Sequence, residues 1–220
     1  MFVELIELLR CPRPHGGQGE EREEWGEAQL IASATRSEAR HIVDGVLGCP
    51  VCNAEFPIVA GVVRIDDSEP TAPAKPSAEA AMRLAAFLDL TDSTGFALLC
   101  GGWGAHVDLV HRLSETRIVL INPPPNIPPD VAAGVIRTRD SIPFASGSAR
   151  GVALHESASR DLASSAARVV RPGGRILAPV GIVVPPGVTE LARDDQMWVG
   201  EKAAATEGTP RLVSIKKASR

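Results

Sequence analysis

Gly48-Cys49-Pro50-Val51-Cys52-Asn53-Ala54-Glu55-Phe56-Pro57-Ile58-Val59-Ala60-Gly61-Val62-Val63-Arg64-Ile65 puts two thiols on a proline-containing turn and runs them into an apolar strand broken by one glycine. A C-x-x-C pair of reduced thiols points to a metal before a disulfide. Such a pair is half of a knuckle, and the amino-terminal Cys11-Pro12-Arg13-Pro14-His15 offers the other half. Cys11, His15, Cys49 and Cys52 then form a candidate Cys3His set for Zn2+, which takes four N/S ligands in a tetrahedron at structural sites. The long interval between Cys11 and Cys49 is closable by a hairpin. Two other readings stay open: a metal-free β-module with buried thiols, with His15 at the surface, and a redox pair. Against redox, the C-x-x-C leads into a strand and not onto a helix N-terminus that would lower a thiol pKa.

The chain has 220 residues, enough for one large domain or for a small one and a medium one. Hydrophobic residues make up 44%, which supplies a packed core. A net charge of −4 argues against a dedicated nucleic-acid clamp, while leaving room for a local basic face. No apolar run has the length of a membrane span. Met1-Phe2-Val3-Glu4-Leu5 has no basic segment ahead of an apolar one, so no secretory signal is expected. The expected compartment is cytoplasmic, where thiols stay reduced.

Residues 2–10 read as a short helix or strand with Phe2, Leu5, Ile6, Leu8 and Leu9 inward. Residues 16–27 are rich in Gly and Glu and read as a solvated loop. Residues 28–34 and 41–47 read as a hairpin, with 62–65 as a third strand. Residues 66–78 combine prolines, alanines and charges without periodicity, which is a linker composition. Ser77 is placed to N-cap a helix over 78–90, with Glu79 in its first turn. Strands then alternate with helices: strands at 96–100, 117–121, 134–138, 151–154 and 175–180, helices at 105–113 and 159–170. Residues 197–202 and 211–217 read as a final antiparallel pair. That alternation predicts a parallel sheet with helices on both faces.

The first part resembles the Trm112-like zinc-ribbon family. The likeness rests on Leu5-Ile6-Glu7-Leu8-Leu9-Arg10-Cys11-Pro12, on Cys49-Pro50-Val51-Cys52 and on Phe56-Pro57-Ile58-Val59-Ala60-Gly61-Val62, and covers about residues 2–65. Pro14 stands where that family has its second Cys, so four-fold ligation requires His15. The resemblance implies a small partner that stabilises methyltransferases acting on tRNA, rRNA and release factors. It also implies pairing by strand addition, for which the edge near Ile58 to Val63 is the candidate. That edge serves an external partner or the chain's own second half equally well.

Residues 78–217 resemble a class I S-adenosylmethionine methyltransferase. Three segments carry this: Phe96-Ala97-Leu98-Leu99-Cys100-Gly101-Gly102-Trp103-Gly104, Asp140-Ser141-Ile142-Pro143-Phe144-Ala145-Ser146-Gly147-Ser148, and Val169-Val170-Arg171-Pro172-Gly173-Gly174-Arg175-Ile176-Leu177. The resemblance implies cofactor contacts from Gly101, Gly102, Gly104, Asn122 and Asp140. Bare glycines let backbone N–H groups approach a cofactor. The family's acids are missing elsewhere: Leu98 stands in the first strand and Asn122 after the second, and Arg150 or Gly151 stands near the fourth. A neutral Asn122 loses the charge-assisted bonds a carboxylate would make to ribose hydroxyls. His106, His111 and His155 are isolated in sequence and read as surface or core residues.

The expected architecture is therefore an α/β chain in two units. A small zinc-ribbon-like β module (1–65) is followed by a linker (66–78) and a Rossmann-like, mostly parallel doubly wound domain (79–220). The expected function is a non-catalytic binding or scaffold protein related to methyltransferase activators, a pseudoenzyme holding Zn2+. Its expected partner is a methyltransferase or translation-related protein, or a second copy of the chain. The alternative is an active S-adenosylmethionine-dependent methyltransferase that carries its own activator module; a third reading is a small-molecule or nucleotide binder that reuses the Rossmann crevice with different specificity.

Overall fold

The computed structural model describes residues 1–15, 27–91, 93–158 and 160–204. Four strands come first: β1 (Ile31–Glu38), β2 (His41–Gly48), β3 (Glu55–Val59) and β4 (Val62–Arg64). Helix α1 (Ala78–Phe87) leads into β5 (Phe96–Cys100), α2 (Val107–His111), β6 (Arg117–Ile121), β7 (Gly134–Arg137) and β8 (Ala149–Ala153). Then come α3 (Arg160–Val169), β9 (Val170–Pro179), β10 (Val188–Arg193) and β11 (Met197–Lys202).

The eleven strands of the described residues join one sheet in the order β1-β2-β3-β4-β7-β6-β5-β8-β9-β11-β10. The expectation of a mostly parallel sheet is corrected here. The run β4-β7-β6-β5-β8-β9 is parallel, but every pairing outside it is antiparallel, so the sheet is mixed. The reason is local at one end. Ala60 and Gly61 both take positive φ (49° and 81°), the two-residue turn that folds β3 back on β4 as a hairpin. At the other end β11 enters between β9 and β10 as an antiparallel strand.

The amino-terminal strands do not form a separate sheet. Val62, Val63 and Arg64 of β4 pair in parallel register with Val135, Ile136 and Arg137 of β7. The edge offered for strand addition is thus occupied by the chain's own α/β part. Residues 2–10 stitch the same joint from above. Val3–Leu8 is a 3-10 helix whose Leu5 is buried against the bare face of Gly134. Beyond it, Arg10 N–H donates to Pro143 C=O (2.9 Å) and Ala145 N–H to Leu8 C=O (2.8 Å).

Strand alternation feeds two cores. Leu98, Val119, Ile136, Val152 and Ile176 face one side with α3 residues Leu162, Ala163, Ala166 and Val169. Ala97, Leu99, Ile118, Leu120 and Leu177 face the other with Ala81 and Leu84 of α1 and Val107 and Val110 of α2. Helices therefore cover both faces, as the β/α alternation implied. Ser77 caps α1 by accepting from Ala80 N–H (3.3 Å). Among the described residues, no helix is long and apolar enough to cross a membrane.

One side-chain clamp ties the amino-terminal part to the α/β part. Glu27 accepts from the Ser146 hydroxyl (2.6 Å) and amide (2.8 Å) and pairs with Arg168. Burial alone would raise the Glu27 carboxyl, but the Ser146 bonds and the Arg168 charge outweigh it and hold the pKa below the usual value. A depressed folded pKa means stability that is present above the unfolded pKa and is lost as pH falls through the folded one. Glu27→Gln is expected to cost about 1–2 kcal/mol near neutrality, the low end of the range for hydrogen bonds to a charged group because solvent screens this partly exposed pair. The gap between variant and parent is expected to shrink below about pH 4, near the unfolded Glu pKa. Urea melts at several pH values measure this; a gap that widens in acid would contradict it.

Candidate metal centre and cofactor crevice

Cys11, His15, Cys49 and Cys52 come together at one end of the amino-terminal strands. Their ligand atoms all lie within 4.8 Å of one another. Backbone bonds position both halves. Asn53 N–H donates to Cys49 C=O (2.9 Å) and Cys49 N–H to Ala54 C=O (2.9 Å), with Asn53 at φ 55°, which closes the Cys49–Cys52 turn. Cys11 N–H donates to Ala28 C=O (2.8 Å), which fixes the other half beside it.

The spacing suits one tetrahedral ion. Two sulfurs each about 2.3 Å from a shared zinc stand roughly 3.8 Å apart. Cys11 Sγ and Cys52 Sγ are 3.7 Å apart, and Cys49 Sγ lies 3.2 Å from His15 Nε2. Burial pushes the Cys11 thiol up to about 12. Burial would raise Cys49 as well, but the N–H groups of Cys52 and Val51 and the adjacent thiols bring it down to about 7. Burial thus opposes a negative charge on Cys11, while the N–H groups of the turn favour one on Cys49. A dication would remove that penalty. Cys100, the fourth cysteine, is buried in β5 and is not part of this cluster, and burial pushes its thiol well above the usual range.

The second site follows from strand order. Numbered from β5, the central strands run 3-2-1-4-5, the doubly wound order, with the reversal between β5 and β8. Ligands in such sheets bind outside the carboxyl ends of the strands at that reversal. Gly101, Gly102 and Gly104 do sit there, in a 3-10 helix over Gly101–His106 that leads into α2. The sequence suggested a helix only from 105.

Their bare faces are covered by the chain itself. A Cβ on Gly101 would meet His155 Cβ and Ser157 Oγ at 2.9 Å and Thr71 Oγ1 at 3.2 Å. One on Gly102 would meet His155 Nε2 at 2.6 Å, and one on Gly104 Pro123 Cβ at 2.8 Å. Asn122 is spent on structure. It holds positive φ (49°), its Oδ1 accepts from Thr138 N–H (3.0 Å), and its Nδ2 donates to Thr138 C=O. Asp140 is exposed in the bend after β7 and is not among the atoms that cover the glycines.

Residues 66–77 cross this edge. Ser68 Oγ donates to Asn122 Oδ1 (3.3 Å), Thr71 N–H to Asn122 C=O (3.3 Å), and Ser77 N–H to His106 Nδ1 (3.0 Å). Sequence reading missed Ser68, Thr71, Pro123, His155 and Ser157 as residues of the crevice. Only the strand order brings them to one place, and linker composition carries no signal of where a linker lies. Trp103 does not plug the glycine turn; its Nε1–H donates to Leu154 C=O (3.0 Å) and its ring stands beside His106 and His155. Arg150 sits at the opposite end of β8 and is buried, its Nε donating to Asp89 C=O (2.8 Å).

No family model and no curated protein matches the chain. Solved structures resemble parts of it. Geranyl diphosphate C-methyltransferase from Streptomyces coelicolor is 20% identical over 44% of this chain and 42% of that one, with a TM-score of 0.37. The chain thus spans less than half the length of that enzyme. A Corynebacterium glutamicum protein is 16% identical over 62% of this chain and 86% of that one, with a TM-score of 0.42. A chain from a complex of the Haloferax volcanii Trm112 methyltransferase activator is 12% identical over 56% and 90%, with a TM-score of 0.39.

Proposed function

We propose that the chain is a non-catalytic scaffold: a zinc-clamped Trm112-like module (1–65) seated in cis on a methyltransferase-like body (79–220), joined by residues 66–78. Zn2+ held by Cys11, His15, Cys49 and Cys52 supplies folding energy and no chemistry. The observation that carries the loss of turnover is the cover over Gly101, Gly102 and Gly104 by Thr71, Pro123, His155 and Ser157. The commitment of the Asn122 amide to Thr138 supports the same reading, since no ribose hydroxyl has an acceptor there.

The β4–β7 pairing bears on partners. With that edge used internally, a methyltransferase or translation-related partner, or a second copy of the chain, docks on another surface. One observation favours the alternative of an active S-adenosylmethionine-dependent methyltransferase: an open cavity remains next to Gly102 and Trp103. Titration calorimetry with S-adenosylmethionine and S-adenosylhomocysteine separates the two readings. The scaffold reading expects no saturable heat at ligand concentrations up to about 1 mM, weaker than about 4 kcal/mol of binding. Micromolar binding with methyl transfer to any acceptor would overturn it.

A further inference from the structure

The crevice at the β5–β8 reversal is divided. Its β6 side is taken up by residues 66–77, Pro123 and the Asn122 network. Its β9 side holds a cavity of about 720 Å³. That volume lies within the usual range for a small-molecule site. Trp103, Val180, Ile182 and Met197 give it flat and aliphatic walls. The Trp103 indole is held in place by its bond to Leu154 C=O (3.0 Å), so the wall is fixed before any ligand arrives.

Its polar groups are mainly donors. His106 Nδ1 accepts from Ser77 N–H (3.0 Å), so the neutral ring carries its proton on Nε2. Among the described residues nothing accepts from that Nε2. The ring is buried and lines the cavity. Arg83 of α1 stands at the rim, paired with the exposed Glu79 one turn back (3.3 Å) and near enough to the exposed Asp194 to help hold that carboxyl below its usual value. Gln196 adds an amide, and the single acid among the lining residues, Glu156, is exposed. A fixed indole face beside an imidazole N–H and a guanidinium suits a flat apolar body carrying one carboxylate.

We infer that this half-crevice is a binding site for a small planar organic carboxylate, which stacks on Trp103 and is held through His106 and Arg83. The inference rests on the scaffold reading, in which the other half of the crevice is closed to a nucleoside. It gives that scaffold a ligand that needs no methyl transfer.

The test is titration calorimetry of the full chain with indole-3-acetate, its neutral isostere indole-3-acetamide, and S-adenosylmethionine. The expected result is saturable binding of the carboxylate at least tenfold tighter than the amide, with no S-adenosylmethionine binding. Arg83→Gln is expected to weaken the carboxylate fivefold or more and leave the amide unchanged. Arg83 is only half-buried and lies outside both apolar cores, which keeps that variant folded even if His106→Asn melts early. Equal affinity for carboxylate and amide, binding untouched by Arg83→Gln, or no binding of either indole compound would overturn the inference and leave the scaffold reading standing. Tight S-adenosylmethionine binding would overturn the scaffold reading, and this inference with it.

Discussion

Cys49→Ser is expected to release the bound metal and to lower the melting temperature of the whole chain by more than 10 °C. Cys49 is the candidate ligand with the strongest local claim. It is buried, and the N–H groups of Cys52 and Val51 hold its thiol below the usual value. A ligand held by the folded state alone stabilises it by about 4 kcal/mol when free ligand stands roughly 1,000-fold above Kd. Native chains hold only about 5–15 kcal/mol in total. The loss is not expected to unfold the amino-terminal part completely. Leu5, Leu9, Leu47, Phe56, Ile58 and Val63 belong to a core continuous with Val119, Ile136 and Phe144. That continuity separates this chain from an isolated zinc finger, which has no fold without its ion. His15→Ala is expected to weaken metal affinity without abolishing it. Metal content by mass spectrometry and calorimetric melts with and without chelator check both variants. An unchanged melt in Cys49→Ser would contradict the clamp.

Val63→Pro is expected to destabilise the chain by roughly 1–3 kcal/mol or more, the cost of leaving a buried backbone acceptor without its donor. Val63 is fully buried in β4, paired to Ile58 on one side and Ile136 on the other. Proline removes a ladder donor, and it is found essentially only on edge strands or at bulges. β4 is the splice between the antiparallel strands and the parallel strands, so the damage is expected to reach both parts. The parent protein is therefore expected to unfold in one transition, seen alike by probes in either part. Two separate transitions in the parent, or a tolerated proline, would show that the amino-terminal part folds as an independent unit.

The legible features were those with a local cause. The thiol spacing, the Pro-containing turn and the apolar strand after it put Cys49 and Cys52 into a knuckle, and Cys11-Pro12 pointed to its mate. The Ser77 cap and the β/α alternation from Phe96 onward are likewise written in short stretches. What was not legible depends on tertiary placement. Val188–Arg193 became an edge strand although it has little apolar alternation, because β11 supplies a partner. β11 pairs with β10 and β9; the partner expected for it at 211–217 lies outside the described residues. A helix over 159–170 and a strand from 175 were expected, but β9 already begins at Val170 and loops out at Pro172-Gly173-Gly174. Asn122 was read as a weakened cofactor contact. Its structural use requires Thr138, which only the β6–β7 pairing brings near. His155, isolated in sequence, turned out to cover Gly102 for the same kind of reason.

A mass spectrum of the purified chain under non-denaturing conditions weighs the folded protein with whatever it retains. The expected spectrum shows the chain plus one zinc ion, no nucleoside, and loss of that ion in Cys49→Ser. A folded chain at its bare mass, or one carrying S-adenosylmethionine, would contradict the zinc-clamped, cofactor-free scaffold.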